Sequence, residues 1–104
     1  MIFLRISSKN ESAIERVAET LIKERLVMDL NVKRNIERWY SVDGSIQKYK
    51  VHLLTSKTKG LLFGKIDKMI KTTFPGLPFE IYSVPIIHMD WDETKQLQSE
   101  VVEV

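Results

Sequence analysis

Apolar and polar positions alternate at the start of the chain, where Phe3 and Arg5 separate Ile2, Leu4 and Ile6. This period of two predicts a β-strand. The period then lengthens to three or four in the set Ile14, Val17, Ala18, Leu21, Ile22 and Leu26. It predicts an amphipathic helix of about 17 residues. The preceding Ser8-Lys9-Asn10-Glu11 has the spacing of a capping box.

A long hairpin is predicted in the middle of the chain. Alternation returns at Met28 and the extended pattern continues to Val42, followed directly by Asp43-Gly44. This pair favours a tight hairpin turn because both residues tolerate positive φ. The return strand is predicted from about Ile46 to Thr55.

A second helix is predicted over the apolar positions from Leu62 to Phe74, with Ser56 or Thr58 as its cap. Pro75-Gly76-Leu77-Pro78 ends it.

A last main strand is predicted from Phe79 to Ile87, in which Pro85 indicates an edge position or a bulge. Asp90 or Asp92 is expected to start a short helix ending near Gln98. Val101, Val102 and Val104 are either a frayed tail or a fifth short strand.

The predicted order of elements is β-α-β-β-α-β in one domain spanning residues 1–104. Two right-handed crossovers joined through a hairpin give an antiparallel sheet with both helices on one face. The expected class is therefore α+β, of the ferredoxin-like split β-α-β type.

The hairpin is too long for the rest of this fold. Its first strand, from Val27 to Val42, would extend roughly 50 Å at 3.3 Å per residue. The first helix would span only about 26 Å. A projecting two-stranded ribbon that carries Ile36, Trp39, Tyr40 and Val42 is marginal in water and has open edges. These four residues are therefore predicted to form an oligomer interface.

The composition excludes any site or cross-link that needs cysteine. Apolar residues make up 43% and charged residues 29% of the 104 residues, and cysteine is absent. The chain therefore has no disulfide, thiolate metal site or cysteine nucleophile. A cytoplasmic location is expected, and the sequence predicts neither a secretory signal nor a membrane helix.

The net charge of +2 is too small to argue for nucleic-acid binding. Basic residues nevertheless concentrate in one stretch: Lys33, Arg34, Arg38, Lys48, Lys50, Lys57 and Lys59. Either they form a solvated face of the sheet, or part of the set binds an anion or a nucleic acid. Lys33, Arg34, Arg38 and Lys50 are the candidates for an anion-binding cleft.

Metal-ligating residues are few. His88, Asp90 and Asp92 alternate and can converge on a divalent ion if the loop bends sharply, although Asp before a helix more often caps it. His52 lies on the polar side of its strand, as a solvated or interface histidine does. The thioethers of Met1, Met28, Met69 and Met89 are possible Cu(I) donors, but Met28 and Met69 lie on apolar faces that favour core packing.

Catalytic motifs are missing. The chain has no Gly-x-Ser-x-Gly sequence and no glycine-rich phosphate loop, so no catalytic residue is predicted and an enzyme is not expected.

Three segments resemble the CutA family of divalent-ion tolerance proteins, which are ferredoxin-like homotrimers. Leu26 to Val32 resembles the family's Leu-Ala-Ala-Cys-Val-Asn-Ile strand. Tyr40 to Ile46 resembles its Tyr-x-Trp-x-Gly-Lys-Ile hairpin, and Glu80 to Pro85 its Glu-Ile-Ile-x-x-Pro strand. The likeness covers nearly the whole chain and implies the fold and the trimer.

The sequence departs from the family where metal ligands are proposed. Asp29 stands in place of the family cysteine, and Phe74 in place of a histidine. Val42 replaces the hairpin tryptophan, and Trp39 lies three residues earlier. These departures put copper binding in doubt, and at most a weakly bound divalent ion is expected.

The resemblance implies a non-enzymatic homotrimer with a role in divalent-ion tolerance or in a ligand-responsive interaction. One alternative is a sensor similar to the PII signalling family, which binds a small molecule or anion between subunits. A second is an RNA-binding module, but the third strand reads Tyr49-Lys50-Val51-His52-Leu53 and lacks the required aromatic and glycine pattern.

Overall fold

Four strands and three helices follow one another along the chain, and the computed structural model describes all 104 residues. They are β1 (Ile2–Ser8), α1 (Glu11–Lys23), β2 (Asn31–Val42), β3 (Ser45–Thr58), α2 (Phe63–Thr73), β4 (Glu80–Pro85) and α3 (Trp91–Glu100). A 3-10 turn at Gly60–Leu62 precedes α2. The strands form one antiparallel sheet in the order β2-β3-β1-β4. The ferredoxin-like α+β prediction is confirmed.

The hydrophobic core lies between one face of this sheet and the helices. Leu4, Ile6 and Leu54 share that face, because residues two apart on a strand and direct partners across strands point the same way. Residues from all three helices join them in a cluster of 13 buried side chains that includes Ile14, Val17, Leu21, Ile66, Ile70 and Leu97. The apolar spacing of α1 and α2 is thus explained by this one-sided packing.

The hairpin of β2 and β3 projects from the sheet as a two-stranded ribbon. Its turn is Asp43-Gly44, with φ of 50° and 81°. β1 pairs with β3 only from His52 to Thr58, so the ribbon segment before His52 has β2 as its only partner. The molecule measures 47 × 29 × 20 Å, which matches the predicted overshoot.

A bulge marks the point where the ribbon leaves the sheet. The register between β2 and β3 shifts between Lys33 and Ile36, and Asn35 has a φ of 58°. The Asn35 amide donates a hydrogen bond to His52 Nδ1 over 3.2 Å. His52 is 6% exposed, so it is buried in its own chain, contrary to its placement on a polar side of the strand.

The helix–strand connection before β2 differs from the prediction. α1 begins after Asn10, whose side chain accepts a hydrogen bond from the Ala13 amide, and it ends earlier than predicted. β2 starts only at Asn31, because hydroxyl groups of β3 bind the carbonyl groups that precede it. Ser56 donates to the Asp29 carbonyl and Thr58 to the Leu26 carbonyl. Ser56 and Thr58 therefore lie in β3, and neither caps α2.

The C-terminal residues pack onto the core and form no fifth strand. α3 is capped by Asp90, runs to Glu100 and so exceeds its predicted length. Val101 is buried, and the Val102 amide donates to the Arg25 carbonyl over 2.9 Å. Lys59 Nζ donates to the carbonyl groups of both valines.

β4 is shorter than predicted and ends at Pro85. It lies at one edge of the sheet, which confirms the edge position that Pro85 indicated. None of the helices is both long and apolar enough to cross a membrane.

Candidate ligand cleft beneath the ribbon

A cleft of about 610 Å³ lies where the ribbon leaves the sheet. We call it the ribbon cleft. Its walls come from the end of β1, the start of α1, the ribbon and the loop before β4. The lining residues are Ser7, Ser8, Lys9, Asn10, Arg38, Tyr49, Val51, Leu77, Pro78, Phe79 and Glu80. Its volume lies within the range of small-molecule sites.

Two buried serines at the end of β1 are among the residues that line the ribbon cleft. Ser7 and Ser8 are only 3% and 4% exposed, and both line it. Ser8 Oγ accepts a hydrogen bond from the Asn10 amide over 3.1 Å. Neither hydroxyl donates a hydrogen bond to another protein group, and because Ser7 and Ser8 are consecutive on β1, their side chains point to opposite faces of the sheet.

Two cationic residues, Lys9 and Arg38, also line the ribbon cleft. Lys9 Nζ is 4.2 Å from the centroid of the Tyr49 ring. Arg38 Nη1 is 2.8 Å from Glu80 Oε2. Burial lowers the pKa of Arg38, but the Tyr49 hydroxyl and the Glu80 carboxylate outweigh it and raise that pKa above its ordinary value. With Lys9 and Arg38 positive and Glu80 negative, the lining has a net charge of +1.

The remaining wall of the ribbon cleft is apolar. Leu77, Pro78 and Phe79 of the loop before β4 line it together with Val51 of β3. Phe79 is held by Phe74, with ring centroids 5.6 Å apart. A lining that combines polar, cationic and apolar residues suits a small molecule that combines an anionic group with an apolar body.

Of the four residues predicted to form an anion-binding cleft, one lines the ribbon cleft and three do not. Arg38 lines the ribbon cleft, whereas Lys33 and Lys50 are exposed outside it. Arg34 binds Glu11 at 3.0 Å and Glu15 at 3.1 Å. Its hydrogen bond with Glu15, together with the charges of both carboxylates, raises the pKa of Arg34.

Sequence analysis missed the contribution of Ser7, Ser8 and Lys9. The predicted capping box Ser8-Lys9-Asn10-Glu11 accounts for the start of α1, although the cap is Asn10 rather than Ser8. A basic residue beside two hydroxyl groups at a strand–helix junction was the signal available for the cleft.

The predicted metal residues do not form a cluster. Asp90 Oδ2 accepts hydrogen bonds from the amides of Asp92 and Glu93, each over 3.1 Å, as a helix cap does. His88 is exposed in the loop between β4 and α3. No three His, Asp or Glu side chains in the chain are arranged to hold a metal ion.

The four predicted interface residues all lie on the ribbon. Trp39, Tyr40 and Val42 are 57%, 44% and 46% exposed, and Ile36 is partly buried. Trp39 pairs with Lys48 and Tyr40 with Gln47, so these two aromatic rings lie on opposite faces.

The fold and the ribbon define a class of small ferredoxin-like proteins with an extended central hairpin. Within this class the chain belongs to the CutA1 divalent ion tolerance protein family, whose sequence model matches residues 2–100. The resemblance seen in the hairpin and flanking strands is thereby confirmed. Comparison with curated proteins gave no match.

Solved structures of this family share the fold. CutA1 from Pyrococcus horikoshii is 24% identical, with a TM-score of 0.83 over 99% of this chain and 100% of that one. The divalent cation tolerance protein from Thermus thermophilus is 23% identical, with a TM-score of 0.83 over 98% and 100%. A periplasmic divalent cation tolerance protein from Archaeoglobus fulgidus is 19% identical, with a TM-score of 0.82 over 98% and 100%.

Proposed function

We propose that this chain is a non-enzymatic homotrimer that contributes to divalent-ion tolerance in the cytoplasm. The main support for this assembly is the exposed apolar surface of the ribbon. Trp39 and Ile46 are 57% and 67% exposed although both are large apolar residues. Clustered apolar side chains on a projecting element favour an interface.

The sheet offers edges for this assembly. β2 and β4 are its two outermost strands, and a ribbon without further partners is marginal in water. Pairing with a second copy satisfies the free backbone groups of such an edge. The number three comes from the resemblance to the CutA family, whose members are homotrimers.

Light scattering on a sizing column tests the assembly. We expect a mass three times that of the 12.2 kDa chain, independent of dilution in the micromolar range. A monomer that persists at high protein concentration contradicts the proposal.

The role in ion tolerance is supported by the family to which the chain belongs. We expect deletion of the gene in its own host to lower growth in elevated Cu(II) or Zn(II) salts. Complementation with the wild-type gene should restore growth, whereas a variant that remains monomeric should not. Unchanged growth of the deletion strain in both salts contradicts this role.

A second candidate function is sensing of an anionic small molecule in the ribbon cleft, as in PII-like proteins. It is favoured by the polar and cationic residues that line this cleft, Ser7, Ser8, Lys9 and Arg38. These donors suit a carboxylate or phosphate group.

Thermal-shift measurements with ATP, inorganic phosphate and citrate test this second function. A ligand that stabilises the wild type should lose its effect in Arg38→Gln. Arg34→Gln is the matched control, because Arg34 is also ion-paired but lies outside the cleft. Absence of stabilisation by all three anions, or equal loss in both variants, contradicts the sensor hypothesis.

A further inference from the structure

One arginine lies on the face of the sheet opposite the hydrophobic core. Arg5 stands between Leu4 and Ile6 on β1, and both of these neighbours are fully buried in the core. Successive side chains of a strand point to opposite faces, so Arg5 points away from the core. We call the face that carries Arg5 the open face.

The register of the sheet places Arg5 in a row of four polar side chains on the open face. β1 lies between β3 and β4, and Arg5 pairs with Thr55 on one side and with Tyr82 on the other. Thr55 in turn pairs with Asn31 of β2. Direct partners across strands share a face. An amide, a hydroxyl, a guanidinium and a phenol, all of which can donate hydrogen bonds, therefore lie side by side. We call these four residues the donor row.

The chain provides no acceptor for the Arg5 side chain. Its Nε atom is buried and has no hydrogen-bond partner. None of the five ion pairs in the chain includes Arg5. The guanidinium lies over the Tyr82 ring instead, with Cζ 5.7 Å from the ring centroid. A buried donor without an acceptor is costly, more so on a charged group, so an acceptor from outside the chain would stabilise Arg5.

The charges around Arg5 favour an anion as that acceptor. Two charged residues lie diagonal to Arg5 on the neighbouring strands, Glu80 on β4 and Lys57 on β3. The Glu80 carboxylate is 2.8 Å from Arg38, and Lys57 is paired with Glu93. Both diagonal charges are thus balanced by other residues, whereas the charge of Arg5 is not.

We propose that the donor row binds a small oxyanion of the phosphate type. Arginine presents a planar fork of N–H groups that matches phosphate oxygens in a bidentate arrangement. Thr55 and Asn31 extend the set of donors toward β2. Because Arg5 as a whole is only partly buried, its guanidinium can turn the Nε–H toward a ligand on the open face. The site is separate from the ribbon cleft, since none of the four residues lines that cleft.

Calorimetric titration with inorganic phosphate tests the site, at low salt because salt screens exposed charges. We expect saturable binding that Arg5→Met, which removes the charge but keeps an apolar stem, weakens by about tenfold or more. Arg5→Lys should retain only part of the affinity, because an ammonium group has no fork. Arg34→Met is the matched control, since Arg34 also lies on a strand but is paired with Glu11 and Glu15.

NMR of the arginine side chains tests the same contact without a substitution. The Nε–H signal of Arg5, identified by its absence from the Arg5→Met spectrum, should shift with phosphate, and that of Arg34 should not. Equal phosphate affinity in all variants, no saturable binding, or a loss confined to Arg38→Gln overturns the proposal. The proposal also fails if Arg5→Met dissociates the oligomer while the wild type binds no phosphate, because Arg5 would then contact a second copy of the chain.

Discussion

The Asn35 amide and His52 Nδ1 are joined by a hydrogen bond of 3.2 Å between β2 and β3. Because Nδ1 accepts this bond, the neutral imidazole has its proton on Nε2. The contact satisfies an amide that the bulge removes from the strand ladder, and His52 is buried against it. The hydrogen bond thus lies at the bulge where the ribbon leaves the sheet.

We predict that His52→Leu lowers the free energy of unfolding by about 0.5–1.5 kcal/mol, because the Asn35 amide loses its acceptor. His52→Asn, whose side-chain oxygen can replace Nδ1, should retain more of the stability. Urea denaturation at fixed protein concentration measures both. Equal losses in the two variants would show that the hydrogen bond contributes little.

A similar prediction applies to the Thr58 hydroxyl, which donates to the Leu26 carbonyl over 2.6 Å and is fully buried. Thr58→Val keeps the shape but leaves the carbonyl without its donor, so we expect a loss of about 1–3 kcal/mol in unfolding free energy. Thr58→Ser retains the hydroxyl and is the matched control. A valine variant as stable as the serine variant contradicts this role for the hydroxyl.

The order of elements could be predicted because the local signals agreed with the final packing. The period of α1, the Asp43-Gly44 turn and Pro85 at the edge each have a local cause. The start of β2 could not be predicted, because Ser56 and Thr58, about 30 residues later, bind the carbonyl groups before it. Long-range side-chain contacts of this kind leave no periodic signal in the sequence.

The site was less predictable than the fold. Arg38 was identified as an anion-binding candidate, but charge alone could not separate it from Arg34, which is paired with two glutamates of α1. The partners of each arginine depend on the bulge and on the direction of the ribbon.

Trp39 gives a test of the interface. It is more than half exposed in the isolated chain, its indole nitrogen donates to Glu37, and Lys48 Nζ lies 3.9 Å from its ring centroid. We predict that Trp39→Ala weakens the oligomer and makes its melting temperature depend on protein concentration, since large aromatic residues anchor interfaces.

Trp91→Ala is the control for this experiment, because Trp91 is 79% exposed on α3, away from the ribbon. It should leave the assembly unchanged. Wild-type Trp39 fluorescence should also be blue-shifted in the oligomer, measured in a Trp91→Phe background. Solvent-like Trp39 emission and an unchanged mass of the alanine variant would together refute burial of this side chain between subunits.

The metal-binding side chains available in this chain predict weak binding of Cu(II) and Zn(II). Tight sites for these ions use thiolates or clustered imidazoles, whereas this chain has no cysteine and only two histidines. One of the two, His52, is buried and accepts the Asn35 hydrogen bond, and Asp90 caps α3. Calorimetric titration should therefore give dissociation constants weaker than about 1 µM, or about −8 kcal/mol. Tighter Zn(II) binding that disappears in His88→Ala would contradict this prediction and would show that His88, Asp90 and Asp92 converge on the ion after all.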